Sequence, residues 1–216
     1  MSLMDDETKG KVKEALLEME EPVHILIFTS KDNCPMCNDT VKIAKEVSEL
    51  ADKLTFEELN LESSKDIAER FKVDKTPAMV LLKGKDRNGS YMGIRFFGIP
   101  SGYEFTSLLD SILTISHGNV GLSDEAKEYL RNLNKDVHMQ VFVTPTCPYC
   151  PRSVVLAHHM ALMSDRITAD MIEAQEFPEL SQKYQVMGVP RTVINEVHHQ
   201  EGAAPENMIL DLIRKA

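Results

Sequence analysis

The sequence predicts an α/β protein built from two tandem units, because the two halves of its 216 residues repeat each other. Three pairs of positions are each separated by 113 residues: Cys34 and Cys147, Cys37 and Cys150, and Pro77 and Pro190. From the first cysteine to the proline the repeat needs no gap, and apolar residues recur at matching positions. One pattern of helices and strands therefore occurs twice.

Each half is predicted to have the element order α-βαβ-α-ββ-α. Apolar residues at i, i+3, i+4 and i+7 mark the first helix, as at Val12, Ala15, Leu16 and Met19. Apolar runs bounded by turn residues mark the strands. The first half is predicted to have helices at 11–20, 34–50, 64–71 and 102–115, and strands at 23–29, 54–59, 78–83 and 91–97. The second half is predicted to have helices at 124–133, 147–163, 177–184 and 206–215, and strands at 137–144, 167–172, 191–195 and 197–201.

Turn and cap residues support these assignments. Ser123 is expected to cap the helix that follows it, and Pro205 suits the start of the last helix. The turn after the proline strand is nine residues longer in the first half, where Gly84, Asn88 and Gly89 mark it. A linker is expected at 117–121, which gives an N-terminal domain at 1–118 and a C-terminal domain at 119–216.

Composition excludes several functional classes. Apolar residues make up 43% of the chain, enough for a core, and 24 basic against 34 acidic residues give a net charge of −10. Such a charge argues against nucleic acid as a partner. No stretch approaches the roughly 18 apolar residues of a membrane span. Residues 1–8 lack the order of a secretion signal, so we expect a cytoplasmic protein without a membrane or nucleic-acid partner.

All four cysteines lie in two CxxC motifs, which indicate redox chemistry or metal binding. A cysteine at the start of a helix meets free backbone N–H groups and the positive end of the helix dipole, and both favour a thiolate. We therefore expect Cys34 and Cys147 to be the attacking thiolates. Cys37 and Cys150, one helical turn later, are expected to resolve the mixed disulfide.

The alternative for these motifs is a structural or zinc-binding role. A zinc site would require the two pairs to meet in space, because zinc takes four ligands. A further possibility concerns the acidic residues: Glu57 or Glu173 could lie beneath a CxxC and transfer protons.

The layout resembles the thioredoxin/glutaredoxin superfamily over essentially the whole chain, twice. Two such units with intact CxxC motifs are similar to the protein disulfide oxidoreductases of archaea and thermophilic bacteria, and Cys147-Pro148-Tyr149-Cys150 is also the glutaredoxin motif. The resemblance implies two tandem thioredoxin-like units, each with a central mixed sheet flanked by helices. It implies dithiol/disulfide exchange without a bound cofactor or metal. Phe28 and Val141 stand where thioredoxins have a buried aspartate.

The resemblance also implies a substrate-binding segment in each unit. Thr76-Pro77 and Val189-Pro190 are expected to be cis peptide bonds facing the cysteines. In this superfamily the residue before the proline pairs with the partner peptide as an added strand. Tyr149 is expected to contact the partner as well.

The predicted function is that of a thiol–disulfide oxidoreductase acting on protein substrates through both CxxC sites. The resemblance implies that electrons come from a flavoprotein reductase of the thioredoxin-reductase type. The alternatives are an electron-relay module serving a peroxidase, and a zinc-binding or scaffolding protein without turnover. Tyr149 and Pro151 replace Met36 and Asn38 of the first site, so we expect the two sites to differ, with the Cys147 site dominating disulfide reduction.

Overall fold

The structure is a computed structural model, and it describes residues 2–216. It contains two compact units. The first runs to Met92 and also contains Phe96–Ile99 and Ile112–Gly118. The second contains Gly93–Arg95, Pro100–Ser111 and Asn119–Ala216. The predicted division into domains 1–118 and 119–216 stays a prediction.

The first half of the chain follows the predicted order of elements. Its helices and strands are α1 (Asp6–Leu16), β1 (Val23–Thr29), α2 (Cys37–Ser48), β2 (Leu54–Asn60), α3 (Lys65–Arg70), β3 (Ala78–Lys83), β4 (Ser90–Phe97), a 3₁₀ turn (Gly102–Glu104) and α4 (Phe105–His117). The strand order is β2-β1-β3-β4, with β1 parallel to β2 and antiparallel to β3. The sheet is therefore mixed, and α2 packs against β1 and β2.

The second half repeats this arrangement. Its elements are α5 (Asp124–Arg131), β5 (Val137–Val143), α6 (Cys150–Leu162), β6 (Ile167–Glu173), α7 (Pro178–Lys183), β7 (Arg191–Ile194), β8 (His198–Glu201) and α8 (Glu206–Lys215). The strand order is β6-β5-β7-β8, again with one parallel and one antiparallel neighbour for the central strand. Helix α6 packs against β5 and β6, so the predicted α/β class is confirmed.

Burial explains why the strand predictions succeed. All seven residues of β1 are buried, and six of the seven in β5 are. A strand whose side chains are buried on both faces of the sheet reads as a continuous apolar run rather than an alternating one. The predicted bounds of β1 and β3 match the structure.

The first helix is where the prediction was wrong. Helix α1 spans Asp6–Leu16 rather than 11–20. Asp5 begins it, because its carboxylate accepts a hydrogen bond of 2.7 Å from the backbone N–H of Thr8. The first turn is acidic and exposed, so an apolar pattern cannot reveal it. Ser123 does cap α5 as expected, accepting from the N–H of Ala126 at 3.2 Å.

A buried ion cluster lies within the second unit. Asp170 on β6 accepts two hydrogen bonds from Arg95, at 2.7 and 2.8 Å, and its Oδ2 lies 2.6 Å from Nε2 of His138. Burial alone would raise the pKa of Asp170, but the positive charge of Arg95 and the contact with His138 lower it below the ordinary value. Asp170 is therefore ionised and holds a buried arginine.

We expect Asp170→Asn to destabilise the protein by about 3–5 kcal/mol, because it removes the carboxylate from a buried ion pair with Arg95. Chemical denaturation measures the loss in the free energy of unfolding. Asp211→Asn is the matched control, since Asp211 pairs with Arg214 on an exposed helix face and should contribute less than about 1 kcal/mol. Equal effects of the two substitutions would contradict the assignment.

Candidate active site

Both cysteine pairs form disulfides. Cys34 is bonded to Cys37 and Cys147 to Cys150, with Cα–Cα distances of 5.3 and 5.5 Å. These distances lie within the usual range for disulfides. Among residues 2–216 no three His, Cys, Asp or Glu side chains are grouped so that they could hold a metal ion. What this geometry supports is dithiol/disulfide chemistry at each pair.

The helices begin one turn later than predicted. Helices α2 and α6 start at the second cysteine of each motif, and Met36 and Tyr149 precede them as the N-cap residues. The first cysteine lies in the preceding turn, where the N–H of Cys37 donates to the carbonyl of Cys34 at 3.2 Å. In the second unit Pro151 has no N–H to offer the Cys147 carbonyl, and it lies in the first turn of α6, where no helix bond is lost.

Within each pair the two sulfurs differ in access. Cys34 is partly exposed and Cys37 is 5% exposed, whereas Cys147 is 8% and Cys150 0% exposed. An attacking thiol must reach the partner, while a resolving thiol only has to reach its neighbour in the motif. This order of access agrees with the predicted roles, which stay predictions.

The strand register brings each proline to the end of the sheet where the cysteines lie. Phe28 pairs with Ala78, and Phe142 pairs with Arg191. Because these strand pairs are antiparallel, the residue before β3 or β7 lies beside the end of β1 or β5. Each CxxC follows that end within a few residues. The register thus places Pro77 and Pro190 next to the loops that carry the cysteines.

The predicted cis peptide bonds are confirmed at Thr76-Pro77 and Val189-Pro190. In the second unit the Sγ of Cys147 lies 3.8 Å from the carbonyl oxygen of Val189. The Pro190 carbonyl accepts from the N–H of Gly202 at 2.8 Å, which fixes this segment to the sheet. The predicted contact between the proline segment and the first cysteine is therefore present at Cys147. The substrate-binding roles of Thr76, Pro77, Val189, Pro190 and Tyr149 stay predictions.

Sequence reasoning missed one residue of the second site, Glu104. It ends the 3₁₀ turn Gly102–Glu104, which packs against α6, and the N–H of Tyr103 donates to the carbonyl of Pro145 at 3.0 Å. Glu104 is therefore held beside the loop that leads to Cys147. In the sequence it looks like an ordinary acidic residue in the first turn of a helix. Only the tertiary contact with the loop reveals it.

The Glu104 carboxyl is buried, with 1% of the residue exposed. Its Oε2 accepts from the hydroxyl of Ser107 at 2.6 Å, and its Oε1 has no hydrogen-bond partner among residues 2–216. Burial raises the pKa of Glu104 from the ordinary 4.5 to about 7, against the opposing effect of the Ser107 hydrogen bond. This carboxyl can therefore bind or release a proton near neutral pH.

The two carboxyls considered from the sequence lie in different surroundings. Glu173, at the end of β6, is buried, and burial raises its pKa although the N–H of Glu176 donates to it at 2.7 Å. Glu57 is partly exposed on β2 and forms an ion pair with Arg87. The ion pair with Arg87, at the edge of the sheet, is sufficient to explain the carboxylate at position 57. A proton-transfer role for Glu173 stays a prediction.

Comparison with known proteins identifies the class. A family model described as a thioredoxin domain matches residues 137–214. The NTD_N/C domain of alkylhydroperoxide reductase from Enterococcus faecalis aligns with a TM-score of 0.88 over 96% of this chain and 98% of its own, at 24% identity. That match establishes the fold, which consists of two tandem thioredoxin-like units.

A second solved structure shows the family. The protein disulfide oxidoreductase from Aeropyrum pernix is 32% identical, with a TM-score of 0.89, and the match covers 99% of this chain and 94% of that one. The chain belongs to the protein disulfide oxidoreductase family of the thioredoxin superfamily.

Curated relatives are longer. An alkyl hydroperoxide reductase component of Staphylococcus aureus is 26% identical over 193 residues, which are 89% of this chain and 34% of that protein. The chain therefore spans about a third of the length of the curated relatives it matches. No helix among residues 2–216 is long and apolar enough to cross a bilayer.

We expect Glu104→Gln to change how stability depends on pH. Because the folded state raises the pKa of Glu104 from 4.5 to about 7, its contribution is fully present below the lower value and is lost as pH rises through the higher one. At about pH 8 the substitution should therefore stabilise the protein, by up to about 3 kcal/mol. Thermal unfolding at acidic and alkaline pH measures this difference.

The control for this prediction is Glu128→Gln, which changes an exposed carboxylate on α5. It should leave the pH dependence of stability as in the unaltered protein. A Glu104→Gln variant whose stability follows the same pH curve as the unaltered protein would show that folding does not raise the pKa of Glu104.

Proposed function

We propose that the protein exchanges dithiols and disulfides with cysteines of other proteins, through Cys34 and Cys37 in one unit and Cys147 and Cys150 in the other. The observation that carries the proposal is the second site, where the Sγ of Cys147 faces the backbone carbonyl of Val189 while Cys150 is fully buried. An extended partner segment paired with that backbone would bring its own sulfur to Cys147.

In the reducing direction the reaction has two exchanges. The Cys147 thiolate attacks one sulfur of the partner disulfide, the partner S–S bond breaks, and the second partner sulfur leaves as a thiolate that takes up a proton. The Cys150 thiolate then attacks the Sγ of Cys147 and displaces the first partner sulfur. The partner gains two electrons and two protons, and the protein is left with the disulfide seen in the structure.

The second exchange requires Cys150 to lose its proton although it is fully buried. Glu104 is a suitable acceptor, because its turn packs against the helix that begins at Cys150 and its pKa is about 7. A carboxyl of that pKa is partly ionised at neutral pH and can take the proton without a large energetic cost. Val141 stands where thioredoxins have an aspartate, so Glu104 would supply the missing carboxyl from another direction.

The electron donor is proposed to be a flavoprotein reductase of the thioredoxin-reductase type, in the cytoplasm, as expected from the sequence. The match to the protein disulfide oxidoreductase from Aeropyrum pernix supports dithiol/disulfide exchange, and a reductase of this type would supply the electrons for it. Oxidation of a nicotinamide cofactor by such a reductase, dependent on added protein, would test this step.

The curated relatives favour a second candidate function. Several are named as a component of alkyl hydroperoxide reductase, and the chain matches about a third of their length. If this chain serves as part of such a reductase, it would relay electrons to a peroxide-reducing partner. Reduction of the disulfide form of such a partner, much faster than of a generic protein disulfide, would favour the relay.

We expect alkylation to distinguish the cysteines within each motif. In the reduced protein near neutral pH, Cys34 and Cys147 should be labelled before Cys37 and Cys150, because they are more accessible and are the proposed thiolates. Mild treatment with iodoacetamide followed by peptide mapping measures the order. Equal labelling of all four cysteines would contradict it.

We also expect the second site to dominate turnover. With insulin as a generic disulfide substrate, Cys147→Ser should lower the rate of reduction more than Cys34→Ser, since Pro151 and Tyr149 set the second site apart from the first. Each variant serves as the control for the other. A greater loss in Cys34→Ser would reverse the ranking, and loss in neither would contradict the proposed function.

A further inference from the structure

The segments beside Cys147 carry no charged residue in a chain of which 27% is charged. Three segments contact or contain the Cys147 loop: residues 101–103, 144–149 and 186–190. None of these 14 positions holds Asp, Glu, Lys or Arg. We call the three large apolar side chains that these segments expose, Tyr103, Tyr149 and Met187, the second-site rim.

The second-site rim is strongly exposed. Met187 is 91%, Tyr149 69% and Tyr103 52% exposed, and these are three of the seven large apolar residues on the surface of residues 2–216. Each is linked to the reactive sulfur through the backbone. Tyr149 lies between the two cysteines, Met187 is two residues from the Val189 carbonyl that faces Cys147, and the N–H of Tyr103 bonds to Pro145. Exposed apolar groups gathered around one reactive atom mark a contact surface.

The first site differs at the corresponding positions. Asp74 and Lys75 stand where Met187 and Gly188 stand in the second unit, and the two form an ion pair. Lys75 also lies over the ring of Phe97, with its Nζ 4.2 Å from the ring centroid. Lys31 and Asp32 are exposed on the loop before Cys34. An apolar peptide segment bound at the first site would remove the water that solvates these charged side chains and would offer no polar group in its place.

Gly188 supports the same distinction. A Cβ at this position would meet no atom of residues 2–216 within 4 Å, and its φ lies outside the left-handed region. The fold therefore does not require glycine there. Because glycine has no side chain, the backbone next to Val189 is accessible at this position. The first unit carries Lys75 at the corresponding position.

We propose that the second-site rim and Gly188 make the Cys147 site selective for disulfides in extended segments whose neighbouring residues are aromatic or aliphatic, whereas the Cys34 site does not share this preference. The partner is a polypeptide that lays its backbone along 187–189 and buries its apolar side chains against Met187 and the two tyrosines. This specificity rests on the proposed function, since it concerns the same exchange at the same sulfur.

The experiment uses the full chain with one site active at a time. Cys34→Ser with Cys37→Ser leaves the second site, and Cys147→Ser with Cys150→Ser leaves the first. Each protein is reduced, freed of reductant and mixed with one of two disulfide peptides of equal length. One peptide has Phe and Leu beside its cysteines, and the other has Lys and Asp. Chromatography of quenched samples gives the rate constant for reduction of each peptide in a single turnover.

The measured quantity is the ratio of the rate constant for the apolar peptide to that for the charged one. We expect a higher ratio for the second site than for the first. Adding Met187→Asp with Gly188→Lys to the second-site protein, which gives it the first-site pair, should lower the ratio about tenfold, since burying one such side chain is worth at least that factor. Circular dichroism checks that the variant is folded.

Val197→Asp is the matched control. Val197 is 72% exposed in the same unit, in the turn at the far end of β7 from Pro190, and its replacement should leave the ratio unchanged. Equal ratios at the two sites, or no effect of the paired substitution, would overturn the specificity while leaving the proposed function intact. Failure of the second-site protein to reduce either peptide would instead contradict the proposed function itself, and the specificity with it.

Discussion

The antiparallel pairing of each central strand with the strand after the proline is the constraint on which the site depends. Phe28 opposite Ala78, and Phe142 opposite Arg191, fix where the proline segment lies relative to the strand that leads to the cysteines. A slip of one residue would exchange the side chains between the two faces of β3 or β7 and disrupt their packing. The hydrophobic core therefore enforces the geometry of the redox site, although no core residue takes part in the chemistry.

Much of this arrangement could be predicted from the sequence, because it repeats and because the central strands are buried on both faces. The 113-residue period predicted the two units, and the resemblance to the thioredoxin/glutaredoxin superfamily implied the cis bonds at the two prolines. What failed were features determined by polar contacts. The start of α1 depends on one carboxylate of Asp5, and the starts of α2 and α6 depend on how the turn before them closes.

The buried acids show why part of the site could not be predicted. Glu104 precedes Cys147 by 43 residues and reaches its surroundings through one backbone bond from Tyr103 to Pro145. Neither periodicity nor spacing reports such a contact, since it joins segments that are distant along the chain. Asp170 is similar: on a strand pattern it reads as a polar interruption, and only Arg95 and His138 explain how the core accepts it. Which residue occupies such a buried position depends on the side chains that it contacts in the folded protein, and these are distant along the chain.

The two hairpins differ in length, although the redox sites beside them keep the same spacing from cysteine to proline. Strands β3 and β7 leave the proline at one end and reach their turns at the other, and the extra residues of the first unit are divided between longer strands β3 and β4 and a longer turn between Lys83 and Ser90. Length added there alters neither the spacing from cysteine to proline nor the pairing of the central strand. This turn is thus a natural place to graft a foreign peptide, such as an affinity tag or a fluorescent label, into an oxidoreductase whose termini are needed for other fusions.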